Sequence, residues 1–377
     1  MKIIYLIAAT HNSGGMERVL ANKANYLVAY GYDVSIITTD QRELKPFFAL
    51  DERIRCYDLG INYEENNGKT FLNKLVHYPF KQWRHKMCLT KLLKELKADI
   101  VISMFCNDAS ILPRINDGSK KILEVHFSRF KRLQYGRKGI WRIADEWRTR
   151  NDKQVAARFD RFVVLTQEDR TYWGDISNIR VIPNARTYTF NQPATLNNKT
   201  VLAAGRYSHQ KGFRRLIDAW KLVCKEVNDW NLLIVGDGVL RQDLLRQIEE
   251  NELNENITLK KVQANKMPEV YSNASIFALS SYYEGLPMVL LEAQAAGLPI
   301  VSFACKCGPK DIIEDGVNGF LVEEGDVDTL AGRLLDLIND VDLRKKMGRA
   351  SYRNSTYYTE EVIMKQWEEL FQQVMKR

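Results

Sequence analysis

Long hydrophobic runs are missing from this sequence. No apolar stretch of the 377-residue chain approaches 18 residues, so nothing in it reads as a membrane-spanning helix. The run at the start, Ile3 to Ala9, leads straight into a polar loop; it is too short for a signal peptide and suits a buried first strand. Cysteine is scarce: Cys56, Cys88, Cys106, Cys224, Cys305 and Cys307 are scattered through apolar segments without zinc-ribbon or disulfide-framework spacing, which favours a reducing, cytoplasmic setting. With 9 Pro and 21 Gly the chain has too little of either for a fibrous or low-complexity protein. The G-x-G-x-x-G dinucleotide fingerprint is absent, which argues against an NAD enzyme. Sequons begin at Asn198, Asn273 and Asn354, but so short a pattern recurs by chance and nothing here directs secretion.

What is present is ordinary for a folded protein: 45% hydrophobic and 27% charged residues, over a length that calls for two domains. The net charge of +8 favours an anionic partner, whether nucleic acid, a membrane surface or a phosphorylated small molecule. That charge is uneven. Residues 1–185 hold 31 basic against 21 acidic residues, and residues 186–377 hold 24 against 26.

Short β-rich runs alternate with stretches of helical period, which predicts an α/β chain with parallel sheets. The first series of strands is Ile3–Ala9, Val34–Thr39, Ile100–Phe105, Ile122–His126 and Arg161–Thr166, with helices such as Met16–Tyr30 and Lys86–Leu96 between them. The second is Val201–Ala204, Leu232–Val235, Ile257–Val262, Ile276–Ser280, Ile300–Phe303 and Phe320–Val322. Two such series imply two doubly wound, Rossmann-like domains, expected at 1–183 and 184–357, with Val181–Ala185 and the polar stretch to Lys199 as the linker. A last helix, about 358–377, has apolar positions at Val362, Ile363, Trp367, Leu370, Phe371 and Val374 and is expected to pack back on the first domain. Ligands of such sheets bind beyond the carboxyl ends of the strands, so two domains facing across a cleft would hold the chemistry in strand-end loops.

Three such loops carry suitable residues. After the first strand, Asn12-Ser13-Gly14-Gly15 leads into a helix; paired glycines there admit a ligand close to free N–H groups, or simply make a tight turn needing positive φ. After Val201–Ala204 comes Gly205-Arg206-Tyr207-Ser208-His209-Gln210-Lys211-Gly212, where Arg206 and Lys211 can converge on a diphosphate, one as a planar fork and the other as a point charge. After Ile276–Ser280 comes Glu284-Gly285-Leu286-Pro287, with Pro287 fitting a first helical turn, and then Glu292. Eight residues apart on one helix, Glu284 and Glu292 would share a face about two turns apart. Glu292 stands among Leu290, Leu291, Ala293, Ala295 and Ala296, so a buried hydroxyl partner explains it better than solvation.

Taken together, these elements resemble the large retaining glycosyltransferase family 4, whose members have the GT-B fold. The resemblance spans nearly the whole chain: Gly14-Gly15, Ile182-Pro183-Asn184-Ala185, Gly205-Arg206 with Lys211-Gly212, Val235-Gly236-Asp237-Gly238, Ser280 to Glu292, and Asp315 to Val322. It implies that Arg206 and Lys211 bind the donor's diphosphate, that Glu292 holds the ribose hydroxyls, and that Glu284 contacts the transferred sugar. Gly285, Leu286 and Pro287 would lie near sugar and phosphates, and Gly14 or Gly15 would approach the diphosphate from the other domain. His126 matches a histidine that many such enzymes place near the sugar. Val262, in a segment where the family often has Phe or Leu with Gly, would lie by the base.

The implied reaction is transfer from a nucleotide-sugar, by resemblance a UDP-sugar, to a hydroxyl of a glycan or polyprenyl-diphosphate-linked acceptor, in bacterial surface polysaccharide assembly. No cofactor or metal is expected: the two Asp-x-Asp pairs, Asp326/Asp328 and Asp340/Asp342, stand where helix caps and first turns explain them. The competing functions are an inactive nucleotide-sugar-binding partner and a GT-B epimerase or phosphorylase. Nucleic acid is not an expected partner, because the cluster Arg129, Lys131, Arg132, Arg137 and Lys138, with Phe130, Tyr135 and Trp141, accompanies no nucleic-acid module. The segment Lys69 to Lys97 combines eight basic residues with Phe71, Leu72, Leu75, Tyr78, Phe80 and Trp83; it suits the surface of an anionic membrane at the inner face of the plasma membrane, or is a solvated basic helix.

Overall fold

Runs such as Ile3-Ile4-Tyr5-Leu6-Ile7 and Ile300-Val301-Ser302-Phe303 are apolar on both faces, so they satisfy themselves only as central strands covered on both sides by helices. The computed structural model describes residues 1–66, 71–133 and 138–376. Its strands are β1 (Lys2–Ile7), β2 (Asp33–Thr38), β3 (Arg55–Asp58), β4 (Ile100–Ser103), β5 (Lys120–Glu124), β6 (Arg161–Val164), β7 (Ile179–Val181), β8 (Thr200–Ala204), β9 (Asn231–Val235), β10 (Ile257–Lys260), β11 (Ile276–Leu279), β12 (Ile300–Phe303) and β13 (Gly319–Val322). Its helices are α1 (Gly15–Ala29), α2 (Phe71–Leu96), α3 (Ile140–Ala156), α4 (Gln167–Trp173), α5 (Phe213–Val223), α6 (Arg241–Glu250), α7 (Met267–Ser272), α8 (Met288–Ala295), α9 (Pro309–Ile312), α10 (Val327–Asn339), α11 (Val341–Asn354) and α12 (Glu360–Met375).

The strands form two sheets, ordered β3-β2-β1-β4-β5-β6-β7 and β10-β9-β8-β11-β12-β13. Their strand pairs are parallel. Each order reverses direction once, between β1 and β4 and between β8 and β11, which is the doubly wound arrangement. The strand ends expected at Ala9, Phe105, His126, Thr166 and Val262 lie in loops, because pairing stops one or two residues earlier.

The chain divides into two compact units. The first comprises Met1–Leu165, Trp173–Ile182 and Met364–Arg377, and the second Thr166–Tyr172 and Pro183–Ile363. The expected boundary put Thr166–Tyr172 with the first domain; α4 groups with the second because Asp311 caps it, its two carboxylate oxygens accepting from the Gln167 and Glu168 backbone N–H groups at 2.5 and 3.2 Å. The first core gathers Ile4, Leu6, Leu89, Leu93, Val101 and Phe162 around Trp173. The second gathers Val201, Leu216, Trp220, Ile234, Leu330 and Leu334. Within the first unit, Trp367 and Phe371 of α12 meet Lys23 and Tyr32.

Candidate active site

In the second unit, the loops leaving β8 and β11 flank the point where the strand order reverses, and they are stitched together. Ser280 Oγ donates to the Lys211 carbonyl at 2.9 Å, Gln210 Nε2 to the Tyr283 carbonyl at 3.0 Å, and the Tyr282 N–H to the Gln210 carbonyl at 2.8 Å. His209 stacks on Tyr282 with ring centroids 4.5 Å apart. Gly212 makes this approach feasible: its φ is +62°, and a Cβ would sit 2.1 Å from the Ser280 carbonyl oxygen. Gly236 likewise lets the β9 loop close on the Gly205 carbonyl, which a Cβ would approach to 1.9 Å.

The stitched loops carry the expected charges. Lys211 Nζ lies 2.7 Å from Glu284 Oε1, and Ser281 Oγ donates to the same oxygen at 2.6 Å. Glu284 is 7% exposed and the Lys211 side chain 17%. Arg206 is exposed and forms no ion pair among the described residues. Lys211 and Glu284 are therefore joined, while Arg206 presents its guanidinium to solvent beside them in the sequence.

One expectation needs correction. Pro287 is the N-cap of α8, with φ −71° and ψ 99°, and the helix begins only at Met288. Glu284 thus lies in a loop before the helix, held by its N–H to the Lys306 carbonyl at 2.8 Å and by the Cys307 N–H to its own carbonyl at 3.0 Å. The two glutamates do not line one helix face. The reason is a long-range pairing: Tyr283 bridges Lys306 next to β12, and the chain bends through Gly285 and Leu286 before the helix begins after Pro287. Gly285, the buried Leu286 and the buried Pro287 lead into the α8 N-terminus, where unsatisfied N–H groups favour an anion.

Glu292 is 6% exposed and accepts a hydrogen bond from the Tyr271 hydroxyl at 2.7 Å. The expected hydroxyl partner is, within the protein, a phenol on α7. Tyr271 lies 6.4 Å from the Tyr188 ring, and Tyr188 donates to the Ala264 carbonyl at 3.0 Å. Val262, half-buried in the loop after β10, belongs to the same Val262-Gln263-Ala264 segment. Both tyrosines escaped the sequence reading: neither carries a local motif, and each meets its partner across tens of residues.

In the first unit, Gly14 is the N-cap of α1 with φ −76°, and neither Gly14 nor Gly15 has a positive φ. The turn explanation for the pair therefore fails. A Cβ on Gly15 would meet nothing within 4 Å, whereas one on Gly14 would come within 2.2 Å of Glu17 Oε2, so Gly14 leaves room for the Glu17 carboxylate at the start of α1. His126 follows β5, its Nε2 3.0 Å from Glu124 Oε1, which also lies 2.5 Å from Lys23 Nζ. Beyond β1, β2 and β4 lies a buried polar set that the sequence reading missed. The Tyr63 hydroxyl is 3.0 Å from His85 Nδ1, and Asp40 accepts from the Glu64 N–H at 2.9 Å. Burial pushes Asp108 up to about 6 and His85 down to about 4, so each is driven toward its neutral form.

Other sequence features resolve more simply. Asp326 and Asp340 are N-caps, accepting from the Thr329 and Leu343 N–H groups at 3.0 and 2.8 Å. In the basic cluster, Arg129 lies over Trp173, Lys131 over Phe127, and Arg132 pairs with Asp152. Tyr135 and Arg137 of that cluster, and Lys69 of the basic segment, fall outside the described residues.

Residues 185–354 match the family described as "Glycosyl transferases group 1", and residues 13–186 match "Glycosyltransferase Family 4". The chain is 33% identical over 376 residues to an uncharacterized glycosyltransferase of Haemophilus influenzae, covering 97% of this chain and 98% of the relative. It is 29% identical to the amylovoran biosynthesis glycosyltransferase AmsD of Erwinia amylovora, covering 98% and 99%. A Campylobacter jejuni relative, named as a GalNAc-alpha-(1→4)-GalNAc-alpha-(1→3)-diNAcBac-PP-undecaprenol alpha-1,4-N-acetyl-D-galactosaminyltransferase, is 28% identical and covers 99% of each chain. Among solved structures, a mutant of TarM from S. aureus in complex with fondaparinux, alpha-GlcNAc-glycerol and UDP superposes with a TM-score of 0.77 at 18% identity, covering 98% of this chain and 99% of that one. The two Rossmann-like units of this chain are those of the GT-B fold, and relatives such as the Erwinia and Campylobacter proteins are bacterial glycosyltransferases of polysaccharide or glycan biosynthesis. The chain belongs to the family 4, group 1 glycosyltransferases and is a glycosyltransferase enzyme.

Proposed function

We propose that this enzyme is a retaining transferase that moves a sugar from a UDP-sugar to a hydroxyl of a glycan or polyprenyl-diphosphate-linked acceptor in bacterial surface polysaccharide assembly. The observation that carries the reading is the Lys211–Glu284 pair on stitched loops beside the α8 N-terminus, with Arg206 exposed on the same loop. Departure of the nucleoside diphosphate leaves the bonding electron pair on a phosphate oxygen, and that charge needs preorganised cations and dipoles. Arg206, Lys211 and the α8 N–H groups supply them without a metal. The acceptor hydroxyl attacks the face that the phosphate leaves, and its proton passes to that phosphate oxygen. Glu284 and His126 contact the transferred sugar; Glu292 and Tyr271 hold the ribose hydroxyls, with Val262 by the base. Gly14 and Gly15 approach the diphosphate. The buried polar set around Asp40, His85 and Asp108 suits a hydroxyl-bearing acceptor.

A thermal-shift screen of nucleotide sugars tests this. The cognate donor should raise the melting temperature by mass action, about 2.7 kcal/mol of stabilisation at a hundredfold excess over Kd. The shift should persist in EDTA. No shift with any UDP- or GDP-sugar would sink the donor assignment.

A peripheral membrane contact is part of the proposal. On α2, Leu89 and Leu93 are buried while Phe80, Trp83 and Met87 are 61%, 60% and 55% exposed beside exposed Arg84, Lys86, Lys91 and Lys94. Helix α3 adds Ile143 and Trp147, 67% and 66% exposed. Large apolar side chains flanked by cations suit an anionic bilayer surface. The protein should sediment with phosphatidylglycerol-containing vesicles at low salt and release as salt screens the charges. Failure to sediment at low salt removes the contact.

A further inference from the structure

Behind His126 stand three buried groups that the proposed mechanism leaves without a task. Lys23, on the inner face of α1, is 5% exposed, with its ammonium 2.5 Å from Glu124 Oε1 and 3.8 Å from the centre of the Trp367 ring. Glu124, the last residue of β5, is 1% exposed. Two residues on, where extended chain returns to the same side, His126 places Nε2 3.0 Å from that same Oε1. The carboxylate oxygen that hydrogen-bonds the lysine is thus also at ion-pair distance from the buried Nε2, which has no hydrogen-bond partner of its own among the described residues.

Stability alone explains this poorly. An ion pair so deep in a domain is often matched or bettered by apolar residues of equal volume, because desolvation offsets the attraction. What a carboxylate behind a histidine does supply is orientation: it holds the proton on the nitrogen facing it and leaves the other nitrogen defined. Burial on its own would push Glu124 up, but Lys23 and His126 overcome it and hold the carboxyl at about 2. The group stays an anion across the working pH range.

We infer that Glu124, anchored by Lys23 beneath the Trp367 indole, is a positioning residue that fixes the ring and tautomer of His126, which makes the C-terminal helix part of the catalytic apparatus. The inference rests on the assignment of His126 to the sugar. Trp367 is 1% exposed, and its ring face shields the ammonium from water while holding it against the carboxylate. Glu124 would act only through His126.

The test uses the full chain and four variants: His126→Ala, the pair Lys23→Met with Glu124→Gln, that pair on His126→Ala, and Trp367→Phe. Removing both charges together leaves no lone buried ion. Nitrogen-15 spectra of the imidazoles should show one His126 tautomer, protonated at Nε2, in the wild type and a mixture in the charge-free pair. With the UDP-sugar found by the screen, the pair should lower kcat about tenfold with donor KM little changed, as loss of an orienting partner does. On His126→Ala it should cost less than twofold more, and Trp367→Phe should fall between wild type and pair in both readouts. An unchanged tautomer with unchanged kcat in the pair, or the same tenfold loss on His126→Ala, overturns the inference. Should the pair not fold, an unchanged tautomer and kcat in Trp367→Phe overturns it. Wild-type turnover in His126→Ala alone would instead remove His126 from the sugar, and the spectra would still decide whether Glu124 orients its ring.

Discussion

Lys211→Ala is expected to lower kcat by about two to three orders of magnitude, the size of loss seen when a preorganised partner of developing charge is removed. The lysine is held 2.7 Å from Glu284 on a loop tied by Ser280, Gln210 and Tyr282, so its position is set before any ligand arrives. The same variant leaves Glu284 buried with Ser281 as its remaining side-chain partner in this pair of loops, at a stability cost of about 3 kcal/mol. The two effects separate in Lys211→Ala with Glu284→Gln, which should recover most of the melting temperature and none of the turnover. Near-normal kcat in the single variant would remove Lys211 from the chemistry.

For Glu292→Ala the loss should appear first in donor binding. Hydrogen bonds to a charged group contribute about 1.5–3 kcal/mol each, so UDP affinity measured by titration calorimetry should fall about 10- to 100-fold, with kcat/KM reduced by about two orders of magnitude. Tyr271→Phe, which removes the 2.7 Å hydrogen bond but keeps the carboxylate, should cost less. Undiminished UDP affinity in Glu292→Ala would move the ribose site elsewhere.

Both predictions begin with residues legible in the chain, and the structure altered what they mean. Arg206, Lys211 and Glu284 stand out because strand, loop and helix recur in order and put their charges in strand-end loops, and Glu292 because a carboxylate among apolar helix residues calls for a buried partner. An eight-residue spacing by itself suggests one helix face, yet Tyr283 pairs with Lys306, a partner invisible to local periodicity, and the chain bends at Gly285 and Leu286 before α8 begins. Strand β3 escaped notice because Arg55–Asp58 is mostly exposed and lacks an apolar run, and β7 because it is three residues long. Helix α2 runs through Pro79 from Phe71, where a proline reads as an end; the part expected, from Lys86, is the one whose Leu89 and Leu93 face the core.

Alternation of apolar strands with amphipathic helices, by itself, determined that this chain forms two parallel doubly wound sheets, because each run can bury both faces in only one way. It also placed the charged loops at strand ends. Tertiary structure alone decided which side chains meet: Tyr271 with Glu292, 21 residues apart, and Lys23 with Glu124, 101 apart. Those encounters depend on strand order and helix packing, and a buried carboxylate gains its partner from whichever element the fold lays beside it.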